Sequence, residues 1–148
     1  MRNYIQRCIL VSMAFVAFNA RAQQNKAAIN YGSNAAAAKY ISTRGVRSYC
    51  EVYDKGEPLL LIHGNGGSIN NFKYQVPYFS KYYTVIAVDS RAQGNSIGYG
   101  DSLTYEMMAD DLNAVLDSLH IDSAYVIGWS DGGINGLLLA LRHPGKVI

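Results

Sequence analysis

The sequence predicts an α/β fold built on a mostly parallel sheet, with an antiparallel strand pair at its N-terminal end. Three observations predict it. Residues 59–62, 85–88 and 125–127 are continuous apolar runs, the pattern of strands buried on both faces of a parallel sheet. Helical stretches separate these runs, which calls for right-handed crossovers. Each run also ends in chemically rich residues: His63-Gly64-Asn65, Asp89-Ser90-Arg91 and Gly128-Trp129-Ser130. In open sheets of this class, sites form at the carboxyl ends of the strands.

Ahead of that pattern, residues 1–22 read as a secretory signal peptide. Arg2 and Arg7 give a positive start, 8–18 is a short apolar run, and Ala20-Arg21-Ala22 supplies small residues where a signal peptidase reads. The apolar run is well short of the roughly 20 residues that span a bilayer. Cleavage after Ala22 would make the protein secreted or periplasmic, with no membrane association beyond targeting; the alternative is a buried N-terminal helix. Residues 23–38 are polar and alanine-rich without periodicity, and read as a linker to a domain over 39–148. The formal net charge of +2 rests on Arg2, Arg7 and Arg21; without them the remainder is net negative, which gives no indication of nucleic-acid binding. Cleavage would leave Cys50 as the sole cysteine, so no intrachain disulfide is expected, and its place in an alternating strand marks it as a core residue rather than a catalytic thiol.

The elements then follow in order. Residues 40–43 and 46–53 read as antiparallel strands around a turn at Arg44-Gly45. In the second, Val46, Ser48, Cys50 and Val52 share one face, while Arg47, Tyr49, Glu51 and Tyr53 share the other. Residues 54–58 are a turn. A helix over 68–76 would put Ile69, Phe72 and Val76 on one side. A longer helix over 104–119 aligns Met108, Leu112, Val115, Leu116 and Leu119, with Asp110, Asp111, Asn113 and Asp117 facing elsewhere. Thr104 suits its N-cap, and Glu106 its first turn. Residues 134–141 predict the last helix.

The chemistry concentrates at Gly128-Trp129-Ser130-Asp131-Gly132-Gly133. A serine flanked by glycines two residues away on each side, between a buried strand and a helix, fits a nucleophile elbow. Such a turn is too tight for side chains at the glycine positions and holds the serine in a strained backbone region. No metal site is expected, because no His/Cys/Asp cluster has ligand spacing. No dinucleotide-binding G-x-G-x-x-G follows a strand either, so no cofactor is predicted.

Together with 61–68 (Leu-Ile-His-Gly-Asn-Gly-Gly-Ser), 88–96 (Val-Asp-Ser-Arg-Ala-Gln-Gly-Asn-Ser) and the terminal His143-Pro144-Gly145-Lys146-Val147, this motif resembles the α/β-hydrolase family over nearly everything after Tyr40. The form around Ser130 is similar to esterases of the biphenyl-hydrolase-like group. One departure is Ala92, where the family's loop usually has glycine. The resemblance assigns Ser130 as the nucleophile. It also implies an oxyanion hole from the backbone N–H of Asp131 plus that of Asn65 or Gly66, with His63, Gly64, Gly128 and Gly132 in supporting roles. In the family the acid and histidine partners follow the serine, so the resemblance implies that both lie beyond this chain. The sequence reads accordingly as the N-terminal portion of an α/β-hydrolase fold, with later strands missing and no activity expected of it alone.

Three histidines have to be weighed as bases. His120 follows the helix before the nucleophile strand and belongs at the opposite end of the sheet. His143 ends the last helix, well over about 15 Å from Ser130 at 1.5 Å rise per residue. His63 is at the correct rim, where the resemblance makes it a brace for the oxyanion loop. Asp89 is read as a loop organiser, with direct catalysis as the alternative.

The function expected is a serine hydrolase forming an acyl-enzyme at Ser130 on a small-molecule ester or amide. A serine here argues against the branch with an aspartate nucleophile. Alternatives are a non-catalytic binding protein on the same fold, or a C–C hydrolase, perhydrolase or lyase. Asp131 either favours a substrate bearing a cationic amine or merely suits a helix N-terminus.

Overall fold

The computed structural model describes residues 29–53, 55–98 and 103–148, so the expected leader and the first part of the expected linker lie outside the described residues. Among the described residues six strands make one sheet: β1 (Ala38–Thr43), β2 (Val46–Tyr53), β3 (Glu57–Ile62), β4 (Tyr83–Val88), β5 (Ile97–Gly98) and β6 (Tyr125–Gly128). Their order is β1-β2-β4-β3-β6, with β5 paired to β2. β1 and β2 are antiparallel, turning at Arg44 and Gly45, both with positive φ (53° and 71°). β4, β3 and β6 run parallel. The sheet is therefore mixed, with its parallel part where the apolar runs predict it.

Among the described residues there are three helices, α1 (Gln75–Phe79), α2 (Tyr105–Ser118) and α3 (Asp131–Arg142). The chain moves from β3 to β4 in one direction across the sheet, then back past β3 to β6. Right-handed crossovers in opposite directions place their helices on opposite faces. One face packs Cys50, Leu60, Ile62, Ile86 and Val88 against Leu112, Val115 and Leu116 of α2 and Leu139 of α3. The other packs Tyr49, Leu59, Leu61, Val85 and Ala87 against Ile69, Phe72 and Val76. β6 is less enclosed than its apolar run suggests, with Tyr125 exposed, because it lies at the end of the strand order. Beyond it the sheet is extended by a parallel bridge between Ala124 and Val147.

Three expectations are corrected. The helix expected over 68–76 is two pieces, a 3-10 turn (Ile69–Phe72) and α1. Pro77 gives the reason, since its ring would clash with the carbonyl four residues back and it has no N–H to donate, so the helix cannot reach back past Tyr74. Ile69, Phe72 and Val76 are buried nonetheless. Asp111, expected on the polar side of α2, is buried because Arg91 at the end of β4 is buried too. The carboxylate accepts from Arg91 Nε and Nη2, both at 2.7 Å. The described part of the expected linker is not a loose tether. The N–H groups of Gly32 and Asn34 donate to the Glu51 carboxylate at 3.0 and 2.7 Å, and Val52 N–H donates to the Ala37 carbonyl at 3.0 Å.

Candidate active site

Ile62 pairs with Gly128 at the carboxyl ends of β3 and β6, so the residues that follow leave the sheet side by side. One outgoing segment leads to α1 on one face, the other to α3 on the opposite face. A crevice opens where such neighbouring connections diverge.

Ser130 lies on the β6 side of that crevice. It is exposed, and its φ of 52° with ψ of −120° lies in a region that residues with a Cβ rarely adopt. Neighbouring backbone enforces this geometry. Trp129 N–H donates to the Ile62 carbonyl at 2.9 Å, and Gly132 and Gly133 N–H turn back onto the Trp129 and Ser130 carbonyls at 2.9 and 2.8 Å. A Cβ on Gly128 would collide with the Gly132 carbonyl, and one on Gly132 with that of Ile62. The first glycine thus permits the chain to fold over itself, and the second lets α3 start against β3. α3 begins at Asp131, so Ser130 sits at the positive end of its dipole.

Across the crevice, Gly64 comes close enough that a Cβ there would lie 3.2 Å from Ser130 Cβ. Residues 64–67 make a tight turn closed by Gly67 N–H on the Gly64 carbonyl at 3.0 Å. Gly66 N–H is engaged by Gln93 Oε1 at 2.6 Å, which favours Asn65 over Gly66 as the free donor of this loop. Among the described residues, no main-chain acceptor takes the N–H of Asn65 or Asp131. Both residues line one cleft of about 420 Å³, together with Leu103, Thr104, Tyr105, Glu106 and Met108.

His63 is buried beneath this loop, with both ring nitrogens occupied. Nε2 accepts the Ser90 N–H at 3.0 Å, which puts the proton on Nδ1, where it is donated to the Gly64 carbonyl at 2.7 Å. A ring held in this way fixes the loop and has no free nitrogen for Ser130. Asp89 is equally committed: its oxygens accept the N–H groups of Ile69 and Asn95, both at 2.7 Å. Burial pushes its carboxyl up, and those two N–H groups oppose the shift. His143 is held by Asp110 at 2.9 Å at the far end of α3, and His120 is exposed beyond the end of α2. None of the three histidines therefore faces Ser130. Cys50 is fully buried, and desolvation pushes its thiol up to about 12, consistent with a packing role. Among the described residues no group of His, Cys, Asp or Glu could hold a metal ion.

Sequence reasoning assigned Thr104 and Glu106 to helix capping alone. Thr104 does cap α2, accepting Met107 N–H at 3.2 Å, but this end of α2 also forms a wall of the cleft. Tyr105 was missed. Desolvation and the adjacent Asp131 carboxylate, which accepts its hydroxyl proton in a hydrogen bond, push that phenol up.

Residues 57–147 match the family model described as "alpha/beta hydrolase fold". Similar proteins include an "Uncharacterized hydrolase YraK" of Bacillus subtilis (strain 168), 31% identical over 105 residues, which cover 70% of this chain and 39% of that protein. A "2-hydroxymuconate semialdehyde hydrolase" of Pseudomonas sp. (strain CF600) is 34% identical over 111 residues, covering 72% and 39%. Among solved structures, "Est816 as an N-Acyl homoserine lactone degrading enzyme" superposes with a TM-score of 0.72 at 32% identity, covering 74% of this chain and 42% of that one. The chain thus spans about two-fifths of the length of these proteins. A family match across all three motif-bearing strand ends, and a fold shared with that solved structure, place this chain in the α/β-hydrolase family.

Proposed function

We propose that this protein is a serine hydrolase acting on carboxylic esters through an acyl-enzyme at Ser130. The observation that supports the reading most strongly is the backbone of Ser130, strained and exposed at the head of α3 opposite a glycine-rich loop. The balance of the step is simple. The Ser130 hydroxyl loses its proton to a base as its oxygen bonds to the ester carbonyl carbon. The carbonyl oxygen becomes an anion, and collapse expels the alcohol, which takes up the proton; water then repeats the sequence to release the acid. The N–H groups of Asp131 and Asn65 serve the anion, each worth about 3 kcal/mol of barrier. With His63, His120 and His143 all placed elsewhere, the base and its acid partner come from outside these residues. Residues 1–22 suit a leader that delivers the enzyme to the periplasm or the exterior.

Labelling of the complete gene product with a fluorophosphonate tests this. Wild type is expected to label and Ser130→Ala not to; equal labelling of both removes Ser130 as nucleophile. A protein that binds ester ligands but never labels would instead be a non-catalytic relative.

A second reading concerns substrate choice. Asp131 and Glu106 line the same cleft, and among the described residues no lysine or arginine does. That supports preference for an ester carrying a cationic amine. Amine-bearing and neutral esters of equal size should differ in kcat/KM, and Asp131→Asn should abolish the difference. Equal rates, or faster neutral esters, would leave Asp131 with its helix-terminus role alone.

A further inference from the structure

Glu51 is a carboxylate on β2 with no exposed surface, on the sheet face that carries Tyr49, Ile69 and Phe72. A buried carboxylate persists only where donors surround it. Glu51 has four. Tyr49 and Tyr53, two residues away on either side and therefore on the same face, donate their hydroxyls at 2.7 and 2.8 Å. Burial and this carboxylate hold both phenols protonated, well above the usual tyrosine range. The other two donors are the N–H groups of Gly32 and Asn34, from the turns before β1.

The segment fastened in this way reaches the crevice. Gly32 has φ of +89°, and a Cβ there would lie 3.2 Å from Asn70 N. Its carbonyl accepts Asn95 Nδ2 at 2.6 Å. Asn95 N–H donates to Asp89, whose other oxygen holds Ile69 N–H. Ile69 directly follows Ser68, at the end of the loop that carries Asn65. Gln93, from the same segment as Asn95, holds Gly66 in the middle of that loop. The loop contains Gly64, Gly66 and Gly67, and a backbone with so little intrinsic stiffness keeps one geometry only if neighbours hold it.

We propose that residues 31–37 form a strap, latched by Glu51, which positions the oxyanion loop through Asn95 and Asp89. Glu51 and Asn95 are then positioning residues for the reaction at Ser130. The inference rests on the reading of Ser130 as an acyl nucleophile, but the strap itself can be tested without turnover.

The decisive variants, in the complete gene product, are Asn95→Ala, which removes the hydrogen bond to the Gly32 carbonyl and keeps the backbone donor to Asp89, and Glu51→Gln. Asn95→Ala is expected to lower kcat about tenfold or more. KM should stay within about twofold, the pattern of an interaction made in the transition state. Combining it with Glu51→Gln should add little, because both break one path. Hydrogen exchange at Gly66 and Ile69 should quicken about tenfold while amides of β3 and β4 keep their rates. Wild-type kcat and wild-type loop exchange in Asn95→Ala would overturn the proposal, as would a Glu51→Gln protein that melts earlier but turns over normally. If Glu51→Gln does not fold, Asn95→Ala decides alone. Persisting turnover in Ser130→Ala would sink the nucleophile reading instead, and the exchange measurement, repeated in that background, would still judge the strap.

Discussion

Gly132 sets its bare α-carbon against the main-chain carbonyl of Ile62, the same carbonyl that accepts the Trp129 N–H at 2.9 Å. One oxygen thus fixes both the turn before Ser130 and the start of α3. Gly132→Ala should push α3 off β3, lower stability by about 2–4 kcal/mol and abolish serine labelling. Gly133, whose nearest neighbour to an added Cβ is the Gly128 carbonyl at 3.7 Å, has room. Gly133→Ala should keep labelling and shift stability by no more than about 1 kcal/mol, in the stabilising direction. Thermal melts and probe labelling of the pair check this; equal damage from both would mean that the crowding at Gly132 is irrelevant.

His63 sits at the rim of the site as a brace. His63→Gln should cost about 1–3 kcal/mol of stability by disturbing the acceptor of Ser90 N–H and the donor to Gly64. Its effect on kcat should be about tenfold, through the loop. Loss of a general base would be about 10⁶-fold, so magnitude separates the roles. The inflection of kcat/KM against pH should remain where it is in wild type. A shifted or missing inflection would return His63 to the chemistry.

Asp110 ties the end of α3 to α2. It accepts from Arg142 at 2.9 Å and from His143 at 2.9 Å, with Arg44 at 3.2 Å. The Arg142 hydrogen bond, then that of His143, holds its carboxyl well below the usual value of 3.8. Because the folded value is the lower one, the stabilisation is fully present above the unfolded value and fades as pH falls through it towards the folded one. Asp110→Asn should lose about 1–2 kcal/mol at neutral pH and flatten the acid side of the stability curve. Melting temperatures from pH 7 down to about pH 2 would show it. Unchanged acid sensitivity would assign that limb to other carboxylates.

Ala92 carries a φ of 58°, the conformation that glycine adopts without strain, in the loop where the resemblance expects glycine. Ala92→Gly should therefore stabilise by roughly 1 kcal/mol, despite the usual entropic penalty of glycine. A denaturant melt in which the variant unfolds at lower concentration would show that this backbone relaxes by another route.

Much of this arrangement was legible in the sequence because it depends on patterns local in the chain. The runs ending at Ile62, Val88 and Ile127 announced parallel strands, and Gly128 with Gly132 announced a turn too tight for side chains. What stayed hidden depends on pairs distant in sequence. Asp111 looks like any acidic residue on a helix until Arg91, 20 positions earlier, is buried beside it. Glu51 looks like the polar half of an alternating strand until Gly32 and Asn34 arrive from outside the recognisable pattern. Pro77 is a local signal, and its veto on an unbroken helix from Ser68 follows from its ring and missing N–H alone. Tyr105 came into view only when α2 was docked beside Asp131.

The segments leaving β3 and β6 part company at once, one passing behind the sheet and the other in front. Neither has to cross the gap between them. Material added to either connection can reshape the mouth of that gap without moving Ser130, whose posture is dictated by main-chain atoms of Ile62, Trp129 and Gly132. On the proposed reading of Ser130, substrate range and attacking group would then fall to separate stretches of polypeptide, and one could drift while the other stood still.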